Sequence, residues 1–259
     1  MALLKIVRPK MNRILALGVL AGSLIPSIAA QDSVTIKSDP SDLSRPVSTF
    51  LNQIRQHDKI AVTYEDPRYS KRDDMQGPNT TFTYSVQGLQ AQDGVEVTIA
   101  RMLREYAASG GLTFSVVRDG TRLDVVPNEV LDATGKRIRQ GSILDTVISV
   151  PAGQRDGVQL LQAICDQIKK QAGYEIDFGP SAPVNALLRY STTEGIDNLT
   201  AHAALARLLD RVSAPGNFVW DLYYDPADGG YGLNLHVNAA SRRNPLTKRR
   251  ESISPARMA

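Results

Sequence analysis

Apolar residues recur along this chain at two alternating spacings, three-to-four and two, and the alternation divides it into two similar halves of helices and strands. In the first half Pro46, suited to a helix's first turn, precedes Val47, Phe50, Leu51 and Ile54, which predicts a short helix. Ile60, Val62 and Tyr64 alternate with Ala61 and Thr63 and predict a half-buried strand ending at Glu65-Asp66-Pro67. A polar loop, Arg68 to Asn79, leads to a second alternating run at Phe82, Tyr84 and Val86. Val95, Ile99, Met102, Leu103 and Tyr106 predict an amphipathic helix stopped by Gly110-Gly111. Leu112, Phe114 and Val116 then face Leu123 and Val125 across Asp119-Gly120, a dipeptide suited to a tight hairpin.

The stretch 128–141 is polar, carries Lys136, Arg137 and Arg139, and has no apolar period, so it reads as a linker between a first module at 46–127 and a second at 142–238. In the second module Thr146 to Val150 is a β-branched strand. Val158, Leu161, Cys165, Ile168 and Ala172 line a helix that Gly173 ends. Tyr174, Ile176 and Phe178 predict a strand stopping at Gly179-Pro180, and Leu188 with Tyr190 predicts its partner. Asn198 or Thr200 caps a helix lined by Ala204, Leu205, Leu208, Leu209 and Val212, which Pro215-Gly216 terminates. The last element is a hairpin with arms at 218–224 and 231–237. Strands flanking two helices in each half predict an α+β fold: two tandem small modules, each a short mixed sheet with two helices packed on one face.

The N-terminus has a different pattern. Lys5, Arg8, Lys10 and Arg13 precede an apolar stretch from Ile14 to Ile28, and small residues at Ser27, Ala29 and Ala30 follow, the layout of a cleavable export signal over 1–30. Cutting after Ala29 or Ala30 would release the mature chain near Gln31. Met11 opens a second, complete signal of its own. The apolar run is shorter than the roughly 20 residues of a spanning helix and Pro26 interrupts it, so cleavage is expected over anchoring. Cys is missing from the cleavage region, which argues against a lipid anchor. The expected location is periplasmic or secreted, with no membrane span after cleavage.

Composition, at 42% hydrophobic and 22% charged residues, fits a globular protein rather than a disordered one. The net charge of +3 suggests a basic protein, but much of the positive charge sits at the two ends of the chain, in the signal and in a tail carrying Arg242, Arg243, Lys248, Arg249, Arg250 and Arg257. The middle is neutral to slightly acidic, which argues against a nucleic-acid groove. The tail, 239–259, has almost no apolar residues and reads as disordered. Cys165 is the one cysteine, so no internal disulfide is available and apolar burial must hold the fold.

Motifs for catalysis are missing. His57, His202 and His236 are far apart and none belongs to a metal-binding spacing; His57 and His202 read as solvent-facing helix residues. No Gly-x-Ser-x-Gly elbow occurs, and the glycine pairs fall at a helix stop and a hairpin turn. Cys165 lies on an apolar helix face and reads as an inert core thiol. Glu65-Asp66 with Asp73-Asp74 is the strongest acidic group and the one place for a paired-carboxylate hydrolase, against the simpler reading of a solvated loop. No cofactor and no metal are implied. Three features suit binding instead: the long loop after Tyr64, the rings of the final hairpin, and exposed sheet edges. The candidate partner surface is Trp220, Tyr223, Tyr224, Tyr231, Glu65 and Asp66, with core packing as the competing reading of the rings.

The order of elements in the second half resembles the secretin and TonB short N-terminal domain, a β-α-β-β-α-β module. The resemblance rests on Ile148-Ser149-Val150, Leu160 to Ile164, Tyr174 to Phe178, Ala203 to Leu209 and the terminal hairpin, over roughly 144–237. The first half resembles the same plan less closely over 46–127. The chain is also similar to a group of uncharacterised exported bacterial proteins through Tyr64-Glu65-Asp66-Pro67 and Leu222-Tyr223-Tyr224-Asp225-Pro226. The resemblance implies a periplasmic, non-enzymatic, protein-interaction module that contacts an envelope protein. A short tail follows Val237, so no outer-membrane barrel is expected after the second module. The rival expectation is a cell-envelope hydrolase or carbohydrate-binding protein.

Overall fold

Six strands drawn from both halves of the chain share one sheet. In the computed structural model the described residues are 33–37, 45–58, 60–78, 81–85, 92–179 and 183–238. The expected signal and basic tail lie outside them. The first half runs β1 (Ser33–Lys37), α1 (Pro46–Asp58), β2 (Val62–Glu65), β3 (Thr81–Ser85), α2 (Gln92–Ala108), β4 (Phe114–Asp119) and β5 (Arg122–Pro127). Then come β6 (Glu129–Leu131) and β7 (Arg137–Arg139), β8 (Val147–Val150), β9 (Arg155–Asp156) and α3 (Gly157–Ala172). The chain continues through β10 (Ile176–Phe178), α4 (Val184–Arg189), β11 (Ser191–Thr192), β12 (Ile196–Thr200), α5 (Ala201–Val212), β13 (Phe218–Asp225) and β14 (Gly230–Val237).

The α+β class is borne out. The central sheet has the order β10-β14-β13-β2-β5-β4, mixed parallel and antiparallel. Parallel pairing of β2 with β13, Tyr64 opposite Asp221 and Glu65 opposite Leu222, joins the halves. The sheet is therefore continuous across them rather than built once per half, because β2 offers one edge to β5 and the other to β13. The stretch 128–141, expected as a linker, contains the β6–β7 hairpin. β8 lies outside the central sheet and pairs with β12.

Alternation in the strands decides which helices cover which face. Val62, Tyr64, Leu123 and Val125 meet Phe50, Leu51 and Ile54 of α1 and Ile99, Met102 and Tyr106 of α2 in one core. On the opposite face Trp220, Leu222, Leu233 and Leu235 meet Leu161, Ile164, Cys165 and Ile168 of α3 and Leu205, Leu208 and Leu209 of α5. Helices of the first half thus cover one face and helices of the second half the other.

The local signals act as expected at several ends. Asp156 caps α3, accepting from Gln159 N at 2.8 Å while the Gln159 side chain accepts from Asp156 N at 3.0 Å. Gly173 ends α3 in the left-handed region at φ 79°. Thr200, one of the two candidate caps, accepts from Ala203 N and starts α5. Gly120, at φ 56°, turns the β4–β5 hairpin. The expected strand at Leu188 and Tyr190 is instead the short helix α4. Its buried residue is Leu187, while Leu188 is 53% exposed, so the two-residue spacing marked neither face correctly.

Candidate functional site

The two polar rows of the central sheet bring charged groups into the interior, and each row faces a different helix layer. On β2, Thr63 and Glu65 point toward the α3/α5 side, opposite to Val62 and Tyr64. On β5, Arg122 and Asp124 join them; on β13, Asp221 and Tyr223 point back toward α1. All of these except Tyr223 are buried.

Glu65 and Asp66, expected on a binding loop, are inside. Glu65 accepts from Ile143 N at 2.8 Å and from the Ser142 hydroxyl, so it fastens the segment preceding β8 to the end of β2. Burial pushes its carboxyl up to about 7 against those two hydrogen bonds. Asp66 accepts from the Tyr64 hydroxyl at 2.7 Å, from Tyr224 N at 3.1 Å and from the Arg45 guanidinium. Its carboxyl is pushed up to about 6 by burial, opposed by Arg45 and Tyr64. Asp73 and Asp74 separate from this pair: they lie in a short 3-10 helix, Arg72–Gln76, where Asp74 accepts from Lys71 N at 3.1 Å and from the Ser70 hydroxyl.

The rings of the final hairpin are likewise buried in the main. Trp220 and Leu222 lie in the α3/α5 core, and Tyr224 packs on Tyr231 with centroids 5.0 Å apart. Tyr231 in turn meets Tyr174 edge-on at 5.8 Å. Tyr223, on the other face, shares a 2.7 Å hydrogen bond with the Ser48 hydroxyl and lies under the Arg45 guanidinium. Both faces of β13 are covered by helices, so its aromatic residues serve as core and do not present a partner surface.

Three residues come together that the sequence did not group. Asp119 at the end of β4, Asp124 on β5 and His202 in the first turn of α5 each offer one ligand atom, and these lie within 4.8 Å of one another. His202, expected to face solvent, is only 19% exposed through its side chain and stacks edge-on against Trp220 at 5.3 Å. The sequence signal for this group was Asp124, a carboxylate between Leu123 and Val125 in a strand that is otherwise apolar after Arg122. The side chain of His57 lies outside the described residues. His236 is half-exposed and holds Asp221 at 3.0 Å.

The outer strand β4 is the longest open edge of the central sheet. Asn128 N donates to Thr113 O at 2.9 Å, and the register continues by pairing Ser115 with Val126 and Val117 with Asp124. The N–H groups of Phe114, Val116 and Arg118 therefore point away from β5. Val117 is 49% exposed beside them. No strand among the described residues pairs with that side.

The fold and its polar rows define an α+β protein with helices on both faces of one sheet. Compared with protein-family models, curated proteins and solved structures, the chain finds no match in any of the three. No helix among the described residues is long and apolar enough to cross a membrane.

Proposed function

We propose that this chain is an exported, non-enzymatic protein-interaction module of the periplasm or secreted space, of the kind that secretin and TonB short N-terminal domains exemplify. It binds an extended segment of an envelope protein along β4. The observation that carries the reading is the open edge of β4, with three outward N–H groups beside exposed Val117. An unpaired strand of this length is a template for strand addition, in which main-chain hydrogen bonds supply affinity. Burial of Glu65, Asp66, Trp220, Tyr224 and Tyr231 favours this reading over the rival hydrolase or carbohydrate platform at those residues, since none of them is available to a sugar.

The test is hydrogen exchange on the complex with an envelope partner captured from the native source. Amides of Phe114, Val116 and Arg118 should slow on binding, and Arg118→Pro, which removes one outward donor without touching the β5 ladder, should weaken capture. Protection confined to other elements would overturn docking at β4.

A further inference from the structure

We propose that Asp119, Asp124 and His202 form a binding site for one divalent transition-metal cation, with Zn2+ as the best-matched ion. Asp124 is buried in the sheet, and its Oδ1 accepts from the Thr63 hydroxyl. Its Oδ2 lies 3.1 Å from His202 Nε2, within ion-pair reach of a protonated imidazole but not aligned as a hydrogen bond, and neither atom has another partner among the described residues. With the imidazole neutral, the facing carboxylate oxygen and ring nitrogen are buried without a well-aligned hydrogen bond, a cost that a cation bound by both lone pairs removes. Ligand atoms about 2.0–2.1 Å from a shared cation stand roughly 2.9–3.3 Å apart in octahedral or tetrahedral geometry. The Asp124–His202 separation falls in that interval, and the Asp119 ligand atom lies within 4.8 Å of both.

Asp119 supplies the third ligand from the neighbouring strand. It is only half-buried, at the mouth of the hairpin, so water reaches the remaining coordination positions. The electrostatic setting favours a cation. Asp145 acts on His202 together with Asp119 and Asp124. The two arginines nearest in sequence are engaged elsewhere: Arg118 pairs with Glu96, and the Arg122 guanidinium pairs with Asp210, donates to Phe218 O at 3.2 Å and lies over the Trp220 ring. One imidazole with two carboxylates suits Zn2+ over Ca2+ and Mg2+, which prefer oxygen ligands throughout.

Trp220 is the one tryptophan of the chain and touches His202, so a paramagnetic ion bound here must quench its fluorescence. The full chain, purified without a histidine tag and stripped with a chelator, is titrated with Co2+ and then with Zn2+ in competition. Saturable quenching at one ion per chain is expected, displaced by Zn2+ and not by Mg2+ or Ca2+. His202→Gln and Asp119→Asn should each weaken binding about tenfold or more, whereas His236→Gln should leave it unchanged. Asp119→Asn sits at the solvent-facing end of its strand and keeps the test valid if Asp124→Asn fails to fold. Absence of saturable quenching in the folded protein, or quenching that survives both His202→Gln and Asp119→Asn, would overturn the site.

Discussion

Arg55 of α1 and Asp221 of β13 meet in a two-pronged ion pair that ties the first described helix to the penultimate described strand. Arg55 Nη1 lies 2.8 Å from Asp221 Oδ2, Nη2 bonds Oδ1, and Nε donates to Val62 O at 2.7 Å. His236 Nε2 completes the set 3.0 Å from Oδ2.

Removing one partner leaves the other charge buried and uncompensated, so Asp221→Ala should lose on the order of 3 kcal/mol in urea unfolding. The paired change Arg55→Met with Asp221→Leu should recover most of that loss, since apolar groups of similar volume need no partner. Burial works to raise the Asp221 carboxyl, but His236 and Arg55 outweigh it and hold it below the ordinary range. Its contribution is therefore complete above the ordinary aspartate pKa and disappears as acid titrates the folded state. Asp221→Asn should lose that acid-side dependence.

Glu65 acts in the opposite sense. With its folded carboxyl near 7 against 4.5 ordinarily, the folded state binds the extra proton between those values, and stability falls as pH rises through that window. Glu65→Gln keeps an acceptor for Ile143 N and a donor for the Ser142 oxygen. It should flatten the decline above about pH 6, where Asp66 is past its midpoint and Glu65 contributes the larger share, and raise stability at pH 8 by up to about 3 kcal/mol. An unchanged profile of unfolding free energy against pH would show that Glu65 ionises freely in the folded protein.

Cys165 lies in the α3/α5 core, where burial pushes its thiol up to about 12. A thiol reagent should label it negligibly in the native protein and fully after denaturation. Rapid native labelling would place α3 away from the sheet.

Leu51 and Leu161 are fully buried on opposite faces of the sheet. Each changed to Ala should cost about 2–5 kcal/mol. Because both cores rest on one sheet, each variant should shift the same single unfolding transition, seen alike by circular dichroism and by Trp220 fluorescence. Two separated transitions would mean that the halves unfold independently.

Periodicity made the helices legible: α1, α2, α3 and α5 all occur where apolar residues recur every three or four positions. Local chemistry made their ends legible, as Gly173 and Thr200 show. α4 was missed because six residues are too few for a period to declare itself. The joining of the halves was missed for another reason. Nothing local in Val62 to Glu65 states that both of its edges are used, and the pairing with β13 spans most of the folded chain. The candidate cation site was hidden in the same way, since Asp119, Asp124 and His202 come from three elements and match no spacing. Trp220, Tyr224 and Tyr231 carried the signal of either a core or a surface, and only the helices on both sides of β13 decide it.

The β2–β13 pairing also sets an order of events for a chain made from its N-terminus. When α1, β2, α2, β4 and β5 have all emerged, β2 still has a bare main-chain edge, because the strand that closes it follows β5 only after α3, α4 and α5. Until Phe218 to Asp225 arrives, that edge is open to any other extended segment, including β2 of a second nascent copy. A chain cut short before β13 is therefore expected to self-associate through β2 rather than accumulate as a smaller folded protein.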